Sequence, residues 1–233
     1  SLLVELIDRT LRDAYRSRRL TGLPVIAAFN GTNNLKYRGF LKACNRRAAA
    51  YACQQINGYL QPNRATIINL LSIEEREGKS FLAKYFAQYW ESEGLHVRIV
   101  NHDIDFEKES KSYVQAQQLS DFWQLNDAEQ QPDIILVEYP ALCHYDVPEK
   151  VLAESDFNLL VANAARLWSE KDNARLRSVK DILKDKSLYL YLNNADRETV
   201  ESFTGELPPH NSVHSFFRRL AQLGLTSQKA AVK

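Results

Sequence analysis

The segment LLSIEEREGKSFLAKYF, residues 70–86, joins an apolar run, a polar turn and a helical pattern. Gly78, Lys79 and Ser80 stand where the turn gives way to the helical pattern. A strand that feeds a turn and then a helix N-terminus directs backbone N–H groups and the helix dipole at one point, which suits a bound phosphate. We therefore predict a phosphate-binding loop in this segment.

Three residues of the turn have properties suited to a nucleotide. Gly78 permits a close backbone approach, Lys79 can reach the β- and γ-phosphates, and the Ser80 hydroxyl can bind Mg²⁺. The usual spacing G-x-x-x-x-G-K-[ST] asks for glycine at position 73, where this chain has Ile73. The alternative interpretation is a helix N-terminus whose lysine and serine are simply solvated.

Short apolar runs alternate with helical patterns from residue 65 onward. The runs span residues 65–71, 96–102, 133–139, 157–163 and 187–194, and the helical patterns lie near 79–93, 110–125 and 169–184. Strands that are apolar on both faces and separated by helices indicate a parallel sheet covered on both sides. The predicted fold class is therefore α/β, a three-layer P-loop NTPase-like domain with a mostly parallel sheet.

The first 62 residues are predicted to form an N-terminal extension of helix, strand and helix that packs on this core. Its predicted elements are a helix over 2–18, a strand over 25–29 and a helix over about 35–58. The core is predicted to span 63–225, and the polar tail 226–233 is predicted to be disordered.

Two acidic residues follow predicted strands of the core. Asp103 comes just after one strand, and Glu138 ends the next. Each alone is typical of a solvated turn, but the carboxyl ends of parallel strands meet at one edge of a sheet. Together with the loop they favour a nucleotide site in which Ser80, Asp103 and Glu138 surround Mg²⁺.

Composition excludes several classes of function. The chain of 233 residues has 30 Lys and Arg against 29 Asp and Glu, so it has no basic field to attract nucleic acid. No apolar run has the length of a membrane helix, and the three cysteines lack the short paired spacing of a zinc site, which favours a reducing cytoplasmic compartment. Because the chain opens on Ser1 and contains no methionine, we expect it to be a piece of a longer protein.

The segments SIEEREGKS, VRIVNHDID and DIILVEYPA resemble the Walker A, A′ and B motifs of bacterial tyrosine kinases. These kinases are the cytoplasmic P-loop domains of membrane-anchored polysaccharide co-polymerases of the chain-length-determinant type, which control the length and export of capsule and exopolysaccharide. The flanking segments LIDRTLRDAYRSRRLTGLPVIAAF and LYLNNADRETVESFTGELPPHNSV resemble the linker to the kinase core and a late segment of the Bacteroidetes-type branch. The resemblance thus covers nearly the whole chain.

The resemblance implies ATP or ADP and Mg²⁺ as ligands. Ser72 matches the serine that opens the family's loop, S-x-x-P-G-E-G-K-[ST], so Ser72, Gly78, Lys79 and Ser80 would bind phosphate. The implied catalytic residues are Lys79, Asp103 and Glu138. The implied partners are further copies of the chain or other proteins of polysaccharide assembly and export, at the cytoplasmic face of the inner membrane.

The chain departs from the family pattern at positions that carry the kinase chemistry. Asn101 replaces the first aspartate of Walker A′, and Glu138 replaces the aspartate that ends Walker B. The last tyrosine is Tyr191, within a predicted strand, so the tail lacks the family's phosphorylated tyrosine cluster. We therefore predict a degenerate kinase-like module that senses nucleotide or supports assembly; the alternative is a working tyrosine autokinase that uses Asp103 and Glu138.

The loop itself is unusually acidic. Glu75 and Arg76 replace the family's Pro-Gly pair, and Glu74, Glu75 and Glu77 are offset only by Arg76 and Lys79. Negative charge in a phosphate-binding loop weakens nucleotide affinity unless the carboxylates are turned away. A second alternative is therefore a docking platform that binds no nucleotide.

Cys143 and His144 follow the Walker B segment and raise the question of a thiol enzyme. Adjacent residues on a loop seldom point at each other, and no third residue that would orient the histidine is evident from the sequence. A Cys-His nucleophile is therefore disfavoured.

Overall fold

Six parallel strands and seven α-helices make up the part of the chain that the computed structural model describes, residues 9–31, 39–106, 108–122 and 131–208. The strands are β1 (Val25–Asn30), β2 (Thr66–Leu71), β3 (Val97–Asn101), β4 (Ile134–Glu138), β5 (Phe157–Asn163) and β6 (Leu188–Ala195). The helices are α1 (Ala14–Thr21), α2 (Leu41–Ile56), α3 (Lys79–Ser92), α4 (Lys111–Gln115), α5 (Glu149–Ala153), α6 (Glu170–Leu183) and α7 (Arg197–Thr204).

The strands form one sheet in the order β1-β6-β5-β2-β4-β3, and every neighbouring pair is parallel. The connection from β2 through α3 leads toward β3, whereas the connection from β5 through α6 leads the opposite way, toward β6. Right-handed crossovers in opposite directions place α3 and α6 on opposite faces of the sheet. Helices therefore cover both faces, as predicted, and the carboxyl ends of the strands share one edge.

Several of the largest core side chains lie between α3 and the sheet. On α3 the buried residues follow helical spacing: Leu82, Ala83, Phe86, Ala87 and Trp90. The ring of Phe86 lies 5.5 Å from that of Trp90 and 5.8 Å from that of Tyr191 on β6. This apolar face fixes α3 against the strands, and with it the position of the loop at its N-terminus.

The prediction of a helix over 2–18 is wrong at its start, because the described residues 9–13 are not helical. Asp13 caps α1 by accepting a hydrogen bond from the backbone N–H of Arg16 at 2.8 Å, so the helix begins at Ala14. The preceding segment is extended, and the backbone N–H of Leu11 donates to the carbonyl of Arg166. The cap and this pairing override the apolar spacing that suggested a longer helix. Residues 1–8 lie outside the described ranges.

The other predicted elements are confirmed where the structure describes them, with two differences; residues 35–38 of the helix predicted over about 35–58 lie outside the described ranges. The helix predicted over 110–125 is reduced to α4 and a 3₁₀ turn at Leu119–Asp121, with residues 123–130 outside the described ranges. The short helices α5 and α7 were not predicted. The strand β1 of the predicted extension is an edge strand of the same sheet, beside β6. The domain boundaries at 62 and 225 stay predictions, and the tail 226–233 lies outside the described residues.

Within the described ranges, no helix combines the length and apolar character needed to cross a bilayer.

Candidate functional site

The predicted phosphate-binding loop joins β2 to α3. Gly78 ends the loop with φ 105°, in the left-handed region. A Cβ atom at this position would lie 2.2 Å from Nδ2 of Asn193, whose amide donates to the carbonyl of Glu77 at 3.1 Å. Both the backbone angle and the close approach of Asn193 therefore require glycine here.

Ile73 explains how the loop forms without the usual first glycine. Its side chain is buried in the core, and its carbonyl accepts a hydrogen bond from the backbone N–H of Cys143 at 2.9 Å. Ile73 does not adopt the left-handed backbone that Arg76 and Gly78 adopt. The position thus anchors the start of the loop to the turn after β4, and a side chain is accommodated there.

Lys79 is buried under the loop. Its Nζ donates to Oγ of Ser72 at 2.5 Å, and Ser72 in turn donates to the carbonyl of Glu74 at 2.7 Å. Burial lowers the pKa of Lys79, although the charges of Glu138 and Glu77 oppose that effect. A buried ammonium gains from an anionic partner, so the position suits a cation that would contact a phosphate.

Ser80 and Glu138 meet at the first turn of α3. The Ser80 hydroxyl donates to Oε2 of Glu138 at 2.5 Å. Burial raises the pKa of Glu138, and the hydrogen bond from Ser80 and the charge of Lys79 oppose the rise. A hydroxyl and a carboxylate in contact at a helix N-terminus form an oxygen-rich pair of the kind that Mg²⁺ prefers.

Asp103 lies in the turn after β3 and is paired with a lysine and a histidine. Its Oδ1 is 2.9 Å from Nζ of Lys108, and its Oδ2 is 3.2 Å from Nε2 of His102. The hydrogen bond from Lys108 is the main cause that lowers the pKa of Asp103. Asp103 therefore stays ionised, but a metal ion would have to take the place of Lys108.

A cleft of about 340 Å³ brings these residues together. It is lined by Glu75, Arg76, Glu77, Gly78, Lys79, Ser80, Phe81, His102, Asp103, Lys108, Pro140, Ala141 and Tyr145. The volume is within the range of small-molecule sites, about 300–1,000 Å³. Its donor set, a lysine, a hydroxyl and carboxylates at a helix N-terminus, fits a nucleotide phosphate with Mg²⁺. Ser72 and Glu138 do not line the cleft, but they contact its lining residues Lys79 and Ser80.

Arg166 offsets part of the acidic charge of the loop. Its Nε lies 3.3 Å from Oε1 of Glu77, and its guanidinium also pairs with Asp172 on α6. Glu77 is only 2% exposed; burial raises its pKa, while the charge of Arg166 opposes the rise. The carboxylate of Glu77 thus has a cationic partner within the protein, in contrast to Glu75, which is exposed at the cleft.

The sequence did not single out Arg166, Asn193 or Lys108. Arg166 follows β5, and Asn193 lies near the end of β6, so both stand at the same edge of the sheet as the loop. The rule that located Asp103 and Glu138 at strand ends would have located these residues too. Lys108 follows β3 in a turn and gave no comparable signal.

No protein-family model matches the chain, and no curated protein matches its sequence. Solved structures with a similar fold include the kinase domain of the Escherichia coli tyrosine kinase ETK, with a TM-score of 0.53 and 12% identity over 76% of this chain and 92% of that one. The chimerical protein CapA2B2 has a TM-score of 0.55 and 14% identity over 79% and 100% of the two chains. The BceF tyrosine kinase domain has a TM-score of 0.51 and 14% identity over 79% and 99%. The predicted tyrosine-kinase-like P-loop fold is therefore confirmed.

Proposed function

We propose that this chain is a nucleotide-binding, kinase-like domain whose task is to sense nucleotide or to support assembly. The observation that carries the proposal is the cleft lined by Lys79 and Ser80 at the start of α3, where the Ser80 hydroxyl also contacts Glu138 at the end of β4. This is the edge of a parallel sheet where ligands bind in α/β folds.

The phosphate contacts would come from the loop and the first turn of α3. Gly78 leaves room for a phosphate to approach the backbone, and Lys79 exchanges its hydrogen bond to Ser72 for a phosphate oxygen. Ser80, Asp103 and Glu138 would hold Mg²⁺, which neutralises phosphate charge when it is bound. The raised pKa of Glu138 and the pairing of Asp103 with Lys108 both work against metal binding, which supports weak nucleotide affinity.

The first experiment is calorimetric titration of the purified chain with Mg-ATP and Mg-ADP. We expect binding that is lost in Lys79→Ala and retained in Lys84→Ala, which removes an exposed lysine from the same helix. Equal binding by both variants would contradict the role of Lys79. No binding by the unmodified chain at millimolar nucleotide would favour the docking platform instead.

A tyrosine autokinase is the second candidate. Asp103 is 62% exposed at the cleft, where it could accept a hydroxyl proton, and Tyr15 on α1 is 79% exposed. Asn101 cannot accept a proton at neutral pH, which weighs against this candidate. Phosphotyrosine mass spectrometry after incubation with Mg-ATP separates the two functions, because a sensor remains unmodified and an autokinase does not.

The cellular setting belongs to the same proposal. The sequence resemblance supports a place at the cytoplasmic face of the inner membrane, as part of a membrane-anchored protein in exopolysaccharide, capsule or lipopolysaccharide biosynthesis that controls polymer length or export. Self-association or contact with other assembly proteins would transmit the nucleotide state. Because the charge of the chain is balanced, the proposal includes no role in binding nucleic acid.

A further inference from the structure

Three potential metal ligands converge beside the phosphate-binding loop, at residues that the nucleotide site does not use. They are Glu74 in the loop and Cys143 and His144 in the turn after β4. One donor atom from each, a carboxylate oxygen, a thiol sulfur and an imidazole nitrogen, lies within 4.8 Å of the other two. The three side chains meet only because the fold brings the loop and the turn together.

Backbone hydrogen bonds hold these two segments in place. The N–H of Leu142 donates to the carbonyl of Ser72 at 3.0 Å, and that of Cys143 donates to the carbonyl of Ile73 at 2.9 Å. The buried side chain of Ile73 fixes the loop at the same point. The Cα positions of the three ligands are therefore largely set before any ion arrives, and only side-chain rotations remain.

The distance between the ligand atoms of Cys143 and Glu74 fits tetrahedral coordination. Sγ of Cys143 lies 3.4 Å from Oε2 of Glu74. For a tetrahedral ion with a Zn–S distance of about 2.3 Å and a Zn–O distance of about 2.1 Å, the two ligand atoms would be about 3.6 Å apart. The side chain of Glu74 is 47% exposed and His144 is exposed, so an ion can reach the cluster from solvent.

We propose that Glu74, Cys143 and His144 form a binding site for a transition-metal ion of the Zn²⁺ class, with the fourth coordination position open to water. Sulfur, nitrogen and oxygen ligands together suit Zn²⁺, whereas Mg²⁺ prefers the all-oxygen set at Ser80 and Glu138. Three protein ligands with one open position are typical of an accessible zinc site rather than a closed structural one.

Binding of Zn²⁺ must release a proton, because the Cys143 thiol is protonated before the ion binds. In this structure Cys143 donates a hydrogen bond to Glu74, and burial is the main cause that raises its pKa to about 11. Because the thiolate is the metal ligand, binding of Zn²⁺ releases the thiol proton to solvent. The carboxylate of Glu74, which had accepted the hydrogen bond of the thiol, then coordinates the ion.

The test is titration of the purified chain with Zn²⁺ in competition with a chromophoric chelator, together with Co²⁺ absorption spectra. We expect one ion per chain and a thiolate-to-cobalt charge-transfer band that disappears in Cys143→Ser. Glu74→Gln and His144→Ala should each weaken Zn²⁺ binding by at least about tenfold, since even the loss of supporting residues around metal ligands costs 10–100-fold. Cys44 and Cys53 are buried and remain in every variant, so they cannot supply the lost signal.

Matched controls remove a similar group outside the cluster. Glu75→Gln removes a carboxylate from the adjacent loop position, and His96→Ala removes a histidine that faces Asp133; both should retain the Zn²⁺ affinity of the unmodified chain. Lys79→Ala should also retain it, so a failure of the proposed nucleotide site does not affect this result. Unchanged affinity in His144→Ala, an exposed substitution that leaves the fold intact, would overturn the proposal, as would the absence of the cobalt–thiolate band in the unmodified chain.

Discussion

Asn101 lies directly opposite Glu138 in the parallel register of β3 and β4, and its side-chain amide opposes the rise in the pKa of that carboxylate. Two of the positions where the chain departs from the kinase pattern are therefore neighbours in the sheet. An amide beside a buried carboxylate can donate a hydrogen bond to it, whereas a second carboxylate would repel its negative charge. The asparagine thus stabilises the site without metal, although it removes a group that could accept a proton.

The first prediction concerns Asn101→Asp. Two adjacent carboxylates should raise the pKa of Glu138 further and lower the free energy of unfolding by about 1–3 kcal/mol without metal, the cost of a buried group that loses its partner. Millimolar Mg²⁺ should recover part of this loss by neutralising the pair. Urea unfolding with and without Mg²⁺ measures both effects.

The control is Asn101→Ala, which removes the amide opposite Glu138 without adding a charge. It should lose stability but gain no additional stabilisation from Mg²⁺. If Asn101→Asp were more stable than the unmodified chain without metal, the proposed repulsion would be wrong.

The second prediction concerns Arg166, which pairs with the buried carboxylates of Glu77 and Asp172. Arg166→Ala should lower the free energy of unfolding by about 3–5 kcal/mol, because it leaves buried charges without a partner. Glu77→Gln in the same chain should recover part of the loss. Arg9→Ala, which removes an exposed arginine paired with Glu170, should have little effect on unfolding. Equal losses in Arg166→Ala and Arg9→Ala would show that burial of the pair does not matter.

The strands were predictable because each is apolar on both faces and bounded by polar turns. The run at 157–163 matches β5 at both ends, and the predicted helix start at residue 79 matches α3. Ser72, Lys79, Ser80 and Glu138 also lie together, because parallel strands place their carboxyl ends along one edge.

The partners of the loop were less predictable, since they come from distant parts of the chain. Nothing near Glu77 in the sequence indicates that Arg166 will neutralise its charge. Ile73 in place of glycine suggested an impaired phosphate-binding loop, whereas its buried side chain anchors the start of that loop. The ligand cluster of Glu74, Cys143 and His144 was not predicted from the sequence for the same reason. Cysteine spacing detects zinc sites built from paired cysteines, whereas this cluster contains one cysteine and a carboxylate from another segment.

The third prediction separates two reasons why position 78 needs glycine. Gly94 has φ 84°, and a Cβ atom added there would meet none of the described residues within 4 Å, so Gly94→Ala should show only the cost of the left-handed backbone, about 1 kcal/mol. Gly78→Ala combines that cost with the contact to Asn193 and should lose more stability. Combined with Asn193→Ala, its effect should be smaller than the sum of the two single effects. Equal losses at positions 78 and 94, measured by thermal unfolding, would exclude a role for the contact.

The last prediction concerns the pH dependence of stability that Glu77 contributes. Burial raises the pKa of Glu77 above its ordinary value of 4.5, even though Arg166 opposes the rise. The folded state therefore holds this proton more tightly than the unfolded chain does, so the stabilisation is complete below the unfolded pKa and is lost as the pH rises through the folded pKa. Glu77→Gln removes this titration while leaving the other groups in place. The unfolding free energy of the unmodified chain minus that of the variant should therefore fall between acidic and neutral pH, as measured by urea unfolding at a series of pH values. A difference that rises over the same interval would mean that the ion pair with Arg166 outweighs burial.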